Sequence, residues 1–225
     1  LSDGLKGYEE RVKKLKGELD LCNPANIDKY HFYRAVLIVI DAVKTFASRF
    51  SKLAKEMSLN AEKKRREELL EISRICAKVP YEPASNFYEA IQSVWFVQLI
   101  LQIESNGHSV SYGRFDQYMY PYYKKDMEAG TITREFAQEL MDCIWVKLND
   151  LNKCRDAASA EGFAGYSLFQ NLIAGGQNKE GEDVTNDLSV MCIQASMHVH
   201  LPAPSLSVRV WNGSPHEFLI KAAEL

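Results

Sequence analysis

Residues 166–176, YSLFQNLIAGG, decide the fold class. Apolar side chains dominate this run and Gly175-Gly176 ends it, so the sequence predicts a β-strand over Tyr166–Ala174. A second strand is predicted over Leu206–Trp211, and a helical pattern over Thr185–His198 separates the two. Because a strand, a helix and a strand in this order form a parallel pair, we expect an α/β fold in which this unit belongs to a larger sheet or barrel.

The rest of the sequence is predicted to be mainly helical. From Ile27 to Met57, apolar residues recur at three- or four-residue steps, which predicts a long helix with one inward-facing stripe. The pattern over Asn86–Glu104 is apolar nearly all round, as is typical of a helix buried on every side. Ala157–Gly165 is predicted to be a loop, and further helices are predicted over Leu5–Leu21, Asn60–Ala77, Phe115–Ala129 and from the Thr133 cap to about Asp156.

Charge and cysteine content exclude several classes of function. The 225 residues contain 27 Lys and Arg against 30 Asp and Glu, so no net positive field is available to bind nucleic acid. The five cysteines are odd in number and never occur as Cys-x-x-Cys, which argues against a disulfide framework and against a thiolate metal site. A reducing cytoplasm suits them. The most apolar run, around Val94–Leu101, is interrupted by Gln92, Gln98 and Gln102 and is not predicted to span a membrane.

Both ends of the sequence suggest a piece of a longer protein. The chain begins at Leu1 without a methionine, and it ends two turns after a helix start, Ser214-Pro215-His216-Glu217, in which Ser214 is the predicted cap. We therefore expect residues 1–225 to be a single internal segment of a larger domain, truncated at both ends.

The densest polar stretch is Ser105–Gln117, between the most apolar helix and a Tyr-rich one. His108 offers an acid-base group with an unperturbed pKa of about 6.5, and Ser109 offers a hydroxyl. Arg114 and Asp116 add a cation and a carboxylate. This stretch is a candidate site, although Arg114 and Asp116 could equally pair with one another to brace a turn.

Three other motifs favour structural explanations. His198-x-His200 lacks an acidic third ligand nearby, so no metal site is predicted. Gly175-Gly176-Gln177 lacks the spacing of a phosphate-binding loop, and an acidic segment follows it. The tyrosines at 118, 120, 122 and 123 are more typical of helix packing than of a stacking platform.

Four stretches of the sequence, in their order and spacing, extend over nearly the whole chain after Val79: Asn86–Gln92, Gly107–Tyr118, Thr185–Ser189 and Pro204–Arg209. Together they resemble the glycyl radical enzyme family, which is pyruvate formate-lyase-like, and specifically its glycerol and propanediol dehydratases.

The resemblance implies a ten-stranded barrel wrapped in helices, to which this mostly helical segment contributes a few strands. It also implies a homodimer and a glycine radical that a radical S-adenosylmethionine activating enzyme installs. That radical oxidises a cysteine, whose thiyl radical abstracts hydrogen from substrate. Neither the cysteine loop nor the glycine loop of the family occurs in this sequence, so none of its five cysteines inherits the catalytic role. The segment alone is not expected to be active or to bind a cofactor.

The same resemblance implies the roles of four residues. His108 is expected to protonate the departing hydroxyl of a small 1,2-diol, and Ser109 to hold a substrate hydroxyl. Tyr166 is expected to form an aromatic wall against the substrate, and Phe115 to line the same cavity. Together they predict a coenzyme-B12-independent dehydratase.

Two alternatives stay open. One keeps the family but changes the reaction, to formate acetyltransferase chemistry or to cleavage of a carbon–nitrogen or carbon–carbon bond. The other is a helical interaction module without catalytic activity, which the missing radical and thiol loops would suit.

Overall fold

A computed structural model describes residues 1–107, 110–162 and 168–225. These residues are mostly helical, with two strands and a short 3₁₀ turn at Pro24–Asn26. The elements are α1 (Gly4–Gly17), α2 (Ile27–Ser58), α3 (Lys63–Lys78), α4 (Phe87–Glu104), α5 (Phe115–Glu128), α6 (Arg134–Asn149), α7 (Ala157–Gly162), β1 (Asn171–Gly175), α8 (Asp187–Val199), β2 (Ser205–Arg209) and α9 (His216–Glu224).

The chain divides into two compact units. The first contains Leu1–Ser85 and Gln92–Phe96, and the second contains Asn86–Ile91 and Val97–Leu225. The first unit packs around the buried side chains of Ala47 on α2, Cys76 on α3 and Phe96. Phe46, Ile72 and Trp95 pack against them. This unit is therefore a helical layer built on the pair α2 and α3.

The face of α2 that is buried in the structure is narrower than the apolar stripe predicted from the sequence. Ile40 and Val43 are buried, but the side chains of Phe50, Leu53 and Met57 from the same pattern are 41–52% exposed. The apolar pattern therefore gives the extent of the helix correctly but overstates the face that is buried within the described chain.

In the second unit, β1 and β2 form a parallel pair, which confirms the predicted strand, helix and strand. The pairing places Asn171 opposite Ser205 and Gly175 opposite Arg209. The connecting helix α8 begins at a capping box, in which the side chain of Asn186 accepts from the backbone N–H groups of Leu188 and Ser189.

Several element boundaries differ from the prediction. Helix α6 ends at Asn149 rather than near Asp156. Residues 157–162, predicted as loop, form the one-turn helix α7, in which the Asp156 carboxylate caps by accepting from the backbone N–H and the hydroxyl of Ser159. Strand β1 begins at Asn171, and the first two residues of the predicted strand, 166 and 167, lie outside the described residues.

Two further expectations about helices are corrected. Helix α4 is not buried on every side in the described chain, because Val97, Leu101 and Ile103 are 38–64% exposed. Helix α9 begins after Pro215 without a side-chain cap, because the Ser214 hydroxyl accepts from the backbone N–H of Trp211 instead. Among the described residues, no helix is both long enough and apolar enough to cross a bilayer.

A glycine at the end of β1 gives a test of this packing. Gly175 has φ +73°, and a Cβ atom there would lie 2.6 Å from the ring of Phe218. We expect Gly175→Ala to destabilise the whole protein by about 1–3 kcal/mol, because it combines backbone strain with a steric clash. Calorimetric unfolding of the whole protein measures the shift. Gly17→Ala is the control, since nothing lies within 4 Å of a Cβ there; equal unfolding temperatures for the two variants would contradict the packing.

Candidate functional site

Three of the four predicted site residues, His108, Ser109 and Tyr166, lie outside the described residues. The structure does describe the residues that flank them on both sides. The geometry of the site is therefore built from these flanking residues and from Phe115, the fourth predicted residue.

The chain enters the first predicted segment at Gly107, directly before His108. Its φ is +72°, and a Cβ atom there would lie 2.7 Å from Cδ2 of Leu168. Leu168 is 3% exposed and directly follows the segment that contains Tyr166. The residue directly before the first segment therefore lies against the residue directly after the second, at a position where a positive φ and a nearby side chain favour glycine.

The chain leaves the first segment at Val110, whose carbonyl is held by two buried glutamines of α4. Gln98 Nε2 donates to this oxygen over 2.7 Å and Gln102 Nε2 over 3.1 Å. Gln98 Nε2 also donates to Oε1 of Gln170 over 3.1 Å, and Gln170 Nε2 donates to the backbone oxygen of Leu148 over 2.9 Å. One amide thus connects the exit of the first segment to the residue just before β1.

Backbone hydrogen bonds then join the loop to β1 like a short third strand. The N–H of Tyr112 donates to the oxygen of Asn171, and the N–H of Ile173 donates to the oxygen of Gly113 over 2.8 Å. Gly113 pairs in parallel with Leu172. The N–H of Asn171 also donates to the Ser111 hydroxyl. These bonds fix the register of the loop against the strand.

Arg114 and Asp116 brace the end of β1. The Arg114 guanidinium donates to the backbone oxygens of Gly175 and Gln177 over 3.0 and 2.9 Å. Asp116 is fully buried and accepts from the N–H of Gly175 over 2.7 Å and from the Ser189 hydroxyl over 2.5 Å. The bracing role expected for these side chains is present, but their bonds run to the strand end and to α8 rather than to one another.

Phe115 begins α5 and is fully buried. Its ring meets Tyr112, Tyr118 and Trp145 edge to face, with centroids 5.6–6.5 Å apart. The Tyr118 hydroxyl donates to the backbone oxygen of Tyr112. Burial raises the pKa of Tyr112 and of Tyr118, so both phenols stay neutral at physiological pH. The rings around Phe115 are thus aromatic, and both phenols among them are neutral.

The competing motifs have structural roles among the described residues. His198 Nδ1 lies 2.8 Å from Oδ2 of Asp142. His200 is the C-terminal cap of α8, with φ +50°. In the described ranges, no group of three potential ligands could hold a metal ion. The N–H of Gly175 is already bound to Asp116 and cannot hold a phosphate. Tyr123 is buried and packs edge to face with Phe87, as expected for helix packing.

All five cysteines are unpaired thiols. Cys192 on α8 is fully buried, as expected, and Cys76 is 3% exposed. Burial raises the pKa of Cys76 to about 11 and that of Cys192 well above its ordinary value. Burial also raises the pKa of Cys143. These three thiols therefore lack the thiolate character that a reactive cysteine needs.

The glutamines around Val110 are functional candidates that the sequence analysis missed. Gln98 and Gln102 served there only to exclude a membrane span. The sequence could have indicated a role for them, because an uncharged polar residue inside a helix that is otherwise apolar must find a hydrogen-bond partner. The identity of that partner was not available from the sequence.

Comparison with known proteins identifies relatives over the whole chain. The model of the family described as pyruvate formate lyase-like matches residues 1–225. A solved structure from Roseburia inulinivorans, described for 1,2-propanediol dehydration, is 60% identical with a TM-score of 0.95 and covers all of this chain and 27% of its own. The glycerol-bound B12-independent glycerol dehydratase of Clostridium butyricum is 51% identical with a TM-score of 0.93, over 99% of this chain and 28% of its own.

A curated protein of Escherichia coli strain K12, named Probable dehydratase YbiW, is 39% identical over 97% of this chain. The match spans 28% of that protein's length. The present chain therefore corresponds to between a quarter and a third of each of these relatives.

The thiol environment predicts how the cysteines react. When the native whole protein is treated with iodoacetamide at pH 8 without oxygen, we expect Cys76 and Cys192 to stay unmodified, because burial both shields them and raises their pKa. Cys22, which is exposed, should be modified, and in urea all three should react. Peptide mass spectrometry measures the labelling. Rapid labelling of Cys192 in the native protein would contradict its assignment as a packing residue.

Proposed function

Because this chain belongs to the pyruvate formate lyase-like family of glycyl radical enzymes, we propose that the whole protein removes water from a small 1,2-diol such as glycerol or propane-1,2-diol. The observation that carries the proposal is the 60% identity, over the full chain, to the structure described for 1,2-propanediol dehydration. Residues 1–225 are then one segment of the catalytic domain, and activity belongs to the whole protein.

In this proposal, the one-electron chemistry comes from outside residues 1–225. A radical on a glycine elsewhere in the protein, installed by a radical S-adenosylmethionine activating enzyme, supplies it. The working protein is a homodimer, and its unpaired thiols suit a reducing cytoplasm. The present segment contributes the side of the cavity that handles the substrate hydroxyls.

His108 and Ser109 carry the hydroxyl chemistry. After hydrogen is abstracted from one carbon of the diol, the hydroxyl on the neighbouring carbon leaves as water only if it receives a proton. His108 donates that proton, and Ser109 holds a substrate hydroxyl in register. Support comes from the flanking residues, since Gly107 and Val110 are each fixed by buried contacts.

Tyr166 and Phe115 complete the proposed substrate wall. A tyrosine at 166 adds a hydrogen bond that favours a small hydroxylated substrate over an apolar one. Support comes from Gly107 and Leu168, which lie against one another and directly adjoin the two predicted segments in sequence. Phe115, with its ring enclosed by other aromatic rings, would keep the shape of the wall rather than bind hydroxyls.

A second candidate keeps the family but changes the reaction. The family model takes its name from pyruvate formate lyase, and this name favours formate acetyltransferase chemistry. Cleavage of a carbon–nitrogen or carbon–carbon bond is the other form of this candidate. Acyl transfer needs no proton donor at position 108, so this candidate leaves His108 without a role. The dehydratase reaction uses it.

Substrate testing separates the two candidates. The activated whole protein would be assayed without oxygen against glycerol, propane-1,2-diol, choline, and pyruvate with coenzyme A. Aldehyde formed from a diol supports the dehydratase, whereas acetyl-coenzyme A from pyruvate or trimethylamine from choline supports the alternative. A protein that carries the glycine radical but leaves both diols unchanged would overturn the proposal.

Replacement of the proposed acid gives a sharper test. We expect His108→Ala to lower kcat for diol dehydration by about 10²–10⁴-fold, because protonation of the leaving hydroxyl is lost. The glycine radical, measured by electron paramagnetic resonance, should form to the same extent as in the wild type. His31→Ala, at an exposed position on α2, serves as the control and should keep full activity. Unchanged turnover in His108→Ala would defeat the assigned role.

A further inference from the structure

Three buried glutamines form one connected group in the second unit, here called the glutamine clamp: Gln98, Gln102 and Gln170. Their exposed fractions are 5%, 4% and 0%. Full burial of a side-chain amide is costly unless its hydrogen bonds are made, so a group of three such residues needs a physical reason.

The geometry of the clamp centres on Gln98. Its Nε2 has two protons to donate and two acceptors in range, the oxygen of Val110 at 2.7 Å and Oε1 of Gln170 at 3.1 Å. The Val110 oxygen also accepts from Gln102, so both of its lone pairs are used. Gln170 is fixed in turn by its bond to Leu148. Each amide thus limits the orientation of the next.

The positions joined by the clamp follow directly on the predicted site. Val110 is the residue after Ser109, and Gln170 is four residues after Tyr166. We propose that Gln98, bonded at once to Val110 and Gln170, is a positioning residue of the proposed dehydratase, because it fixes the residue that follows Ser109 relative to the residue that precedes β1. This inference rests on the dehydratase function proposed above.

Neutral amides suit such a role. A lysine or arginine at position 98 would place a charge beside the backbone oxygen of Val110, whereas an amide fixes geometry without a net charge. Proton donation to a leaving hydroxyl is sensitive to small displacements, and a misplacement on the order of 1 Å costs about 10²-fold in rate. A side chain that holds Val110 and Gln170 in register can therefore affect turnover without contacting substrate.

The first test does not require activity. In Gln98→Met, which keeps the volume of the side chain and removes both donors, we expect faster amide hydrogen exchange at Tyr112, Asn171 and Ile173. These amides make the bonds between the loop and β1. Gln138→Met is the matched control, since Gln138 Nε2 also has two acceptors, Oδ1 of Asp142 and the oxygen of Met191, but lies on α6 outside the clamp. Unchanged exchange in Gln98→Met would overturn the proposal.

The second test is a double-mutant cycle on kcat/KM for the diol. We expect Gln98→Met and Tyr166→Phe each to lower it by about tenfold, and the double variant to lose clearly less than the product of the two. A merely structural residue gives independent effects, so Gln138→Met should combine multiplicatively with Tyr166→Phe. Multiplicative effects for Gln98→Met would overturn its positioning role.

Two controls keep the outcomes separate. If Gln98→Met does not accumulate, Gln170→Met removes the other partner of the same bond and carries both tests. If the wild type forms the glycine radical but dehydrates no diol, the dehydratase function fails, while faster exchange at the three amides would still establish Gln98 as the link between β1 and the loop that starts at Val110.

Discussion

The second unit depends on one buried carboxylate. Asp116 accepts hydrogen bonds from the strand end at Gly175 and from Ser189 on α8, and its backbone oxygen accepts from Asn186, the residue that caps α8. Removing a carboxylate from water costs several kcal/mol, and only well-formed hydrogen bonds offset that cost. Asp116 is therefore stable only where α5, β1 and α8 all take these positions, and that same arrangement sets the loop beside β1.

Apolar packing alone would not fix the register between the loop and the strand. Leu168, Leu172 and Phe115 are all buried, but contacts between apolar groups tolerate sliding and repacking at a modest cost in free energy. The directional bonds do not, because a shift of one residue would leave the Val110 oxygen and Oε1 of Gln170 buried without donors. Specificity in this region therefore comes from neutral amides, while stability comes from the surrounding apolar core.

Much of the fold could be predicted from the sequence. The spacing of apolar residues and the positions of glycine and proline predicted α2, α5 and the parallel strand pair. The short helix α7 could not, because it depends on the Asp156 side chain bonding to Ser159 rather than on any apolar pattern. The motif that contains His108 and Ser109 indicated where to look for the site. The partners of Gln98 could not be deduced, because Gln170 lies 72 residues away and the bond between them exists only in the folded chain.

A frame of hydrogen bonds joins the described residues that flank the predicted site. Its closest links are backbone bonds between Tyr112 and Asn171 and between Gly113 and Ile173, and its side-chain links come from Gln98, Gln102 and Gln170. None of these bonds uses the side chain of residue 108, 109 or 166. Substitutions at those three positions therefore leave each of these bonds with both its donor and its acceptor. A scaffold of this kind separates the constraint of folding from the choice of reaction.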